Sequence, residues 1–453
     1  MNRNVIQLSI LALTLLATGV RAAVPQQEAA QLGGVLTPLG AERAGNADGS
    51  IPAWTGGMSA DAGVVDEAGF LTDPFADEQP LFVITAQNLE QYRQHLSPGQ
   101  VALFNRYPES YRMRVYPSHR SAAMPERIYE YAKSNALSTQ LVGNGYGLQN
   151  FTGYFPFPIP KSGIEVVWNH IARYRGGSVM RQFAQIVPDA KGGFSPVIMH
   201  DTLVSPEFLS DYDPQKQNNI LFYWKQAVDA PARLAGNISL VHETIDQVKE
   251  PRMAWVYNAG QRRVRRAPQV AYDGPIATAE GHRVSDNFDM FNGAPDRYEW
   301  KLEGKKELFI PYNSYQLDSP QLKYSDIIRA GHMNPDLQRY ELHRVWHVTA
   351  TLKDGERHIY ARRDFYIDED TWQAAVIDHF DGRGDLWRVA EAHALQVYNQ
   401  QLTWYAAETL HDLMSGRYLV LGLKNEQRRS FEFGAMANSS EFTPNALRQS
   451  GMR

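Results

Sequence analysis

The residues able to do acid–base or metal chemistry are scattered along this chain. Thirteen histidines are spread through it, and none pairs with a carboxylate at metal-ligand spacing. There is no G-x-S-x-G elbow, no H-E-x-x-H, no phosphate-binding loop and no dinucleotide glycine fingerprint. Two small groupings stand out. In Trp168-Asn169-His170, a strand histidine beside an asparagine could orient a general base, which makes His170 the residue to test for an exported hydrolase. A histidine bonded to backbone is the commoner use of such a position. Asp368-Glu369-Asp370 resembles a metal cluster, yet adjacent residues on a turn point in different directions, so it reads as a solvated turn. Asp48-Gly49-Ser50 lacks the further oxygen ligands that calcium needs and reads as a plain turn. No catalytic residue, metal or cofactor is expected.

A different chemistry is concentrated in one stretch. An aromatic strand with Trp255 and Tyr257 runs into an Asn258-Ala259-Gly260 turn, and a strand with Arg262, Arg263, Arg265 and Arg266 leaves it before Pro268 stops the pairing. Guanidinium groups pair well with phosphate and carboxylate. These arginines read either as a basic rim for lipid headgroups or an acidic partner, or as cross-strand partners of Glu299, Glu303 or Asp296.

Composition narrows the setting. Met1-Asn2-Arg3-Asn4 is a short basic segment, 5–20 is an almost uncharged apolar run, and Val20-Arg21-Ala22 offers small residues for cleavage. Residues 1–22 therefore read as a secretory signal peptide, and no later run is long and apolar enough to span a bilayer. With no cysteine there is neither a disulfide nor a lipidated N-terminal thiol, so an exported product must be held by its core. The expected location is the periplasm. A net charge of -5 gives no sign of nucleic-acid binding. The 23 Tyr, 19 Phe and 9 Trp fit a strand-rich protein with a lipophilic interior.

The elements that must position these residues follow from periodicity. Residues 23–142 read as an extended Gly/Pro-rich arm over 31–80 and a helical segment over 85–135. From 143 to 424 the pattern is antiparallel β, with strands expected at 164–174, 178–187, 194–203 and 237–266. A helical insert is expected within 205–230, centred on 219–230. Then come 344–353, an Asp354-Gly355 turn, 357–367, 372–380 and 386–397, four strands with one apolar face. A helix is expected over 398–414, a last strand over 417–423, and a polar tail over 425–453.

The run 36–42, the stretch 46–57, Phe157-Pro158-Ile159-Pro160, Trp168-Asn169-His170 and the run 257–266 together resemble the bacterial family called domain of unknown function 1329. So do 365–372 and Asp381-Gly382-Arg383-Gly384-Asp385-Leu386-Trp387-Arg388. Members are often labelled outer-membrane lipoprotein-sorting proteins. The 250–390 region is similar, more loosely, to the lipoprotein carrier LolA and the receptor LolB. This chain departs from LolA in its long arm and helical insert, and from LolB in having no lipidated cysteine. The resemblance implies a mainly β (α+β) fold: a large curved antiparallel sheet forming an incompletely closed barrel, with helices as a lid. It also implies hydrophobic-compound transport beside a resistance-nodulation-division exporter or an outer-membrane protein.

The expected function is a non-enzymatic periplasmic carrier of a lipid or other hydrophobic ligand. The expected lining is Trp255, Tyr257, Trp346, Val348, Phe365, Ile367, Trp372, Val376 and Phe380. The alternative is a ligand-free accessory or scaffold protein of an envelope export complex.

Overall fold

The computed structural model describes residues 24–216, 218–267 and 272–451. The expected signal peptide and Pro268 lie outside the described residues. Among the described residues no helix is long and apolar enough to cross a membrane.

In chain order the helices are α1 (Gln26–Ala29), α2 (Pro98–Arg106), α3 (Glu126–Ser138), α4 (Gly163–Ile171), α5 (Tyr324–Ile327) and α6 (Pro444–Gly451). The strands are β1 (Phe82–Ile84), β2 (Met113–Tyr116), β3 (Gln140–Val142), β4 (Gly147–Gln149), β5 (Ser178–Ile186), β6 (Val197–Val204), β7 (Ile220–Ala230), β8 (Ile238–Thr244) and β9 (Met253–Asn258). They continue with β10 (Arg263–Arg266), β11 (Tyr298–Pro311), β12 (Tyr340–Leu352), β13 (Arg362–Asp368), β14 (Ala374–Phe380), β15 (Leu386–Val397), β16 (Leu402–Asp412), β17 (Tyr418–Leu423) and β18 (Glu432–Phe433).

All but β3 and β4 belong to one 16-stranded sheet. Its path runs β12-β13-β14-β15-β16-β17-β5-β6-β7-β8-β9-β10, with β11 along the other side of β12. Pairing is antiparallel except where β2 meets the start of β12. The sheet stays open: β11 and β10 lie at its two ends, and among the described residues no strand joins them.

Apolar cores cover both faces of the β12–β15 region. One contains α4, Phe291, Val348, Phe365, Ile367 and Trp372. The other packs α2 and the first strands onto Tyr366, Val376 and Val389. A third, smaller core at the far end joins Tyr257, Leu240 and Tyr223 to Phe442 and Leu447.

Three expected elements are corrected. The 164–174 strand is the helix α4, despite its β-branched Ile164, Val166, Val167 and Ile171. The segment is buried against β11 and β12 with no strand beside it, so a helix is the form that satisfies its backbone internally. Gly163 lets it approach: a Cβ there would lie 2.9 Å from Val348 Cγ1. The expected helix within 205–230 is the strand β7, where the Phe222-Tyr223-Trp224 aromatics follow strand preference. The expected helix over 398–414 is β16, whose central Ala406-Ala407-Glu408 favours helix but sits between β15 and β17 with every residue buried. The 357–367 strand forms only from Arg362. The 425–453 segment is also more than a polar tail: Phe442 and Leu447 are buried, and α6 covers Tyr257.

Candidate ligand cavity

The residues expected to line an acyl cavity are mostly sealed into the cores. Val348, Phe365 and Ile367 are fully buried, with the Phe291 ring 5.3 Å from that of Phe365. Trp346 and Trp372 stack at 6.1 Å, and the Trp372 indole donates to the Leu39 carbonyl at 3.0 Å. The helix α4 packs on β11 and β12 within this same core. Val376 faces the opposite core, because the β13–β14 register slips between Tyr366 and Ile367. One extra residue in a bulge moves the following side chain to the other face. Phe380 is covered by the Arg362 guanidinium, 3.7 Å from its ring centroid. Trp255 and Tyr257 belong to the distal core, where the Tyr257 hydroxyl donates to the Gly451 carbonyl at 2.9 Å.

Arg262, Arg263, Arg265 and Arg266 are exposed on the turn and on the terminal strand β10. Among the described residues none of the four makes an ion pair. Of the expected partners, Glu303 pairs with Lys301 and Asp296 accepts from Tyr272. Val256, 37% exposed, lies directly across from Arg265.

His170 is sealed in the core. Its Nδ1 accepts from the Ala374 amide at 3.0 Å and its Nε2 donates to the Asp289 carbonyl at 2.9 Å. Burial, then Arg173, pushes its pKa down to about 3, so it is a neutral brace. Beside it, Asp289 takes ion pairs from both Arg173 and Arg175. Burial raises the Asp289 pKa, but these guanidiniums outweigh it and hold the carboxyl well below the usual range.

The Asp368-Glu369-Asp370 turn is not solvated: all three side chains are buried. Asp368, Asp370 and His343 bring ligand atoms within 4.8 Å of one another, so they could approach a cation. Their neighbours make them a latch instead. Arg120 grips both oxygens of Asp370, at 2.8 and 2.6 Å, and also donates to carbonyls of the arm at Arg43, Ala44 and Pro52. Arg344 joins Glu369 to the carbonyls of Glu42 and Ala44. His343 donates toward Glu341, and although burial opposes the charge, that contact raises its pKa.

A partly open cavity lies elsewhere, between β15, β16, the 424–433 segment and a loop of the arm. This cavity measures about 280 Å³. Its apolar wall includes Leu395, Val397, Trp404, Tyr405, Phe431 and Phe433. The arm loop crosses it as a strap: Val65 bridges Leu71, and the Ser430 amide donates to the Ala68 carbonyl at 2.9 Å. Tyr398 donates to the Val64 carbonyl at 2.9 Å and fixes the strap's base.

Two polar groups mark the cavity wall. The Trp404 indole N–H is buried with no acceptor among the described residues. Lys424 pairs with the buried Asp318, and its ammonium lies 4.8 Å from the Phe431 centroid. Burial raises the Asp318 pKa, and Lys424 opposes that shift. Exposed Arg429, Glu432, Asn399 and Gln400 stand at the mouth. None of the nine expected lining residues borders this cavity. The adjacent aromatics Trp404-Tyr405, and Phe431 and Phe433 within a polar segment, are the signals that could have pointed to it.

The sequence matches the model of a family described as protein of unknown function (DUF1329) over residues 83–448. An uncharacterised protein of Pseudomonas aeruginosa is 65% identical over 444 residues, 98% of each chain. Among solved structures, one described as an outer membrane lipoprotein-sorting protein domain from Vibrio parahaemolyticus aligns with a TM-score of 0.44 at 14% identity, over 63% of this chain and 98% of that one. A DUF1329 family protein from Desulfovibrio piger aligns with a TM-score of 0.40 at 12% identity, over 60% and 91%. A LolA superfamily protein from Nitrosomonas europaea aligns with a TM-score of 0.37 at 10% identity, over 63% and 100%.

Proposed function

For this chain, which belongs to the DUF1329 family of proteins of unknown function, we propose the role of a non-enzymatic periplasmic binding protein for a small hydrophobic ligand. The observation that carries this reading is the strapped, aromatic-walled cavity at Trp404. At about 280 Å³ it falls just below the roughly 300–1,000 Å³ of typical ligand sites, which suits a short chain or one end of a longer one. Each buried methylene adds about 0.8 kcal/mol, so an alkyl segment binds usefully without many polar contacts. The strap contributes Val65, Ala68 and Leu71 to the lining from an arm loop.

The four arginines at the sheet's end, without an ion pair among the described residues, supply the docking side of the role. They are proposed to meet anionic headgroups of an envelope membrane during delivery, with exposed Val256 beside them. Of the nine residues first expected as lining, Val348, Phe365, Ile367 and Trp372 share the core that also holds Trp404.

Titration with a fluorescent fatty acid tests the proposal. Ala68→Trp places an indole into the cavity from the strap and should abolish uptake while leaving the thermal transition in place. Equal uptake by wild type and Ala68→Trp would place the ligand elsewhere. A second reading, a ligand-free accessory of an export complex, is favoured by the plugging of the main concave face by α4. It predicts no uptake of any lipid by the wild-type protein.

A further inference from the structure

We infer that one small monovalent anion, of the halide class, binds between the Arg283 guanidinium and the Glu408 carboxyl, in a crevice separate from the Trp404 cavity. This crevice lies between the 283–290 segment and strands β15, β16 and β17, and it shares no lining residue with that cavity. Arg283 is 8% exposed and Glu408 5%. Among the described residues neither side chain makes a hydrogen bond or an ion pair, with the other or with any neighbour. Arg283 Nε and Glu408 Oε1 are sealed in protein; the two Arg283 Nη atoms and Glu408 Oε2 are not, and both residues line the crevice.

A guanidinium keeps its charge at any ordinary pH, and a buried charge without a partner is among the costliest groups a fold can hold. Glu408 does not serve as its counter-charge. Burial, then Asp289, pushes the Glu408 pKa up to about 8, against the pull of Arg283, Arg173 and Arg181. Near neutral pH it is therefore a protonated donor. Tyr405, also near it, accepts from Arg181 at 3.2 Å. The residues across from it on β15 and β17, Ala392 and Leu421, carry no charge. Behind the pair, Arg173, Arg175 and Arg181 share only two carboxylates, Asp289 and Asp201. One positive charge is left over there, beside that of Arg283. The crevice thus offers donors and a positive potential, and an anionic acceptor answers both.

The rest of the wall selects the kind of anion. Met290, Ala390, Leu410, Leu419 and Leu421 are apolar. Thr409 Oγ1 is sealed, and the Asn287 amide is engaged by Val284 and His379, so neither adds a donor. Sulfate or phosphate would press most of its oxygens against side chains that cannot donate, which is costly. A halide is satisfied by Arg283 and the Glu408 hydroxyl alone. At about 20 Å³ the crevice exceeds the roughly 10–15 Å³ that a water-sized particle needs to enter.

The test follows thermal unfolding of the full mature chain as chloride replaces sulfate at constant ionic strength, with the chloride NMR line width as a direct reading of binding. Wild type should show saturable stabilisation and a broadened line. Arg283→Met should weaken chloride at least roughly ten-fold, and it should stay folded in sulfate because it also removes a buried unpaired charge. Wild-type affinity should fall as pH climbs past about 8, where Glu408 ionises and repels the anion. Glu408→Gln keeps a donor without the titration, so it should bind chloride with no such fall. A wild-type response to chloride no larger than to sulfate, or an equal response in Arg283→Met, overturns the anion site. Should Arg283→Met not fold, a wild-type affinity unchanged across that pH range, or one that falls equally in Glu408→Gln, overturns it.

Discussion

Replacing Arg120 by Met should be among the most damaging single changes in the molecule, because of what it leaves behind. The Arg120 side chain is 2% exposed and spans the arm, the sheet and the Asp370 turn. Its loss strands Asp370, whose two oxygens have no hydrogen-bond donor but Arg120 among the described residues, and frees the carbonyls of Arg43, Ala44 and Pro52. Breaking a buried ion pair from one side costs about 3–5 kcal/mol, a fifth or more of the roughly 5–15 kcal/mol that holds an ordinary domain folded. Most of that cost is the unpaired carboxylate, not the lost attraction. The double variant Arg120→Met with Asp370→Leu should therefore recover much of the stability, and the two changes should be strongly non-additive. Equilibrium urea unfolding measures the stability, and limited proteolysis within 42–58 reports release of the arm. A loss below about 1 kcal/mol for the single variant, or simple additivity in the double, would refute the latch.

Two further predictions concern the surface and the core. Replacing Arg262, Arg263, Arg265 and Arg266 by Gln should abolish sedimentation with vesicles containing phosphatidylglycerol, at about 1 kcal/mol per arginine, and the wild-type interaction should fade as salt rises; binding unaffected by the four changes would remove the docking role. Burial raises the Asp378 pKa to about 7 from an ordinary 3.8, with Ser97 and Gly99 donating to its oxygens. A raised carboxyl binds its proton more tightly when folded, so its contribution is complete below pH 4 and is lost as pH climbs toward 7. Asp378→Asn should flatten that decline in pH-dependent urea midpoints, and an unaltered slope would show that other groups cause it.

Much of the C-terminal sheet is legible in the sequence because its strands carry strong punctuation. The expected 386–397 strand is β15, and Asp381-Gly382-Arg383-Gly384 leads into it as a turn. Strands β5, β6 and β17 fall within a few residues of their expected bounds. What the sequence hides is long-range context. The Val- and Ile-rich 164–171 segment carries strand propensity, but burial without a neighbouring strand makes it a helix. The Leu402–Asp412 segment carries helix propensity, but two neighbouring strands recruit it. Both bear on the proposed site, since α4 packs on β11 and β12 and β16 supplies Trp404 to the cavity. The Val376 reversal depends on a bulge that strict alternation does not reveal. The buried Asp368-Glu369-Asp370 turn depends on Arg120, Arg344 and His343, which approach it from distant parts of the chain.

The central claim is that the exported protein holds a small amphiphile in the strapped cavity. Native mass spectrometry of protein purified after export tests it most directly. The account predicts a population heavier than the mature polypeptide that sheds a small hydrophobic ligand on collisional activation, and that is missing in Ala68→Trp. A spectrum showing only the bare polypeptide, unchanged after incubation with a fluorescent fatty acid, would contradict it.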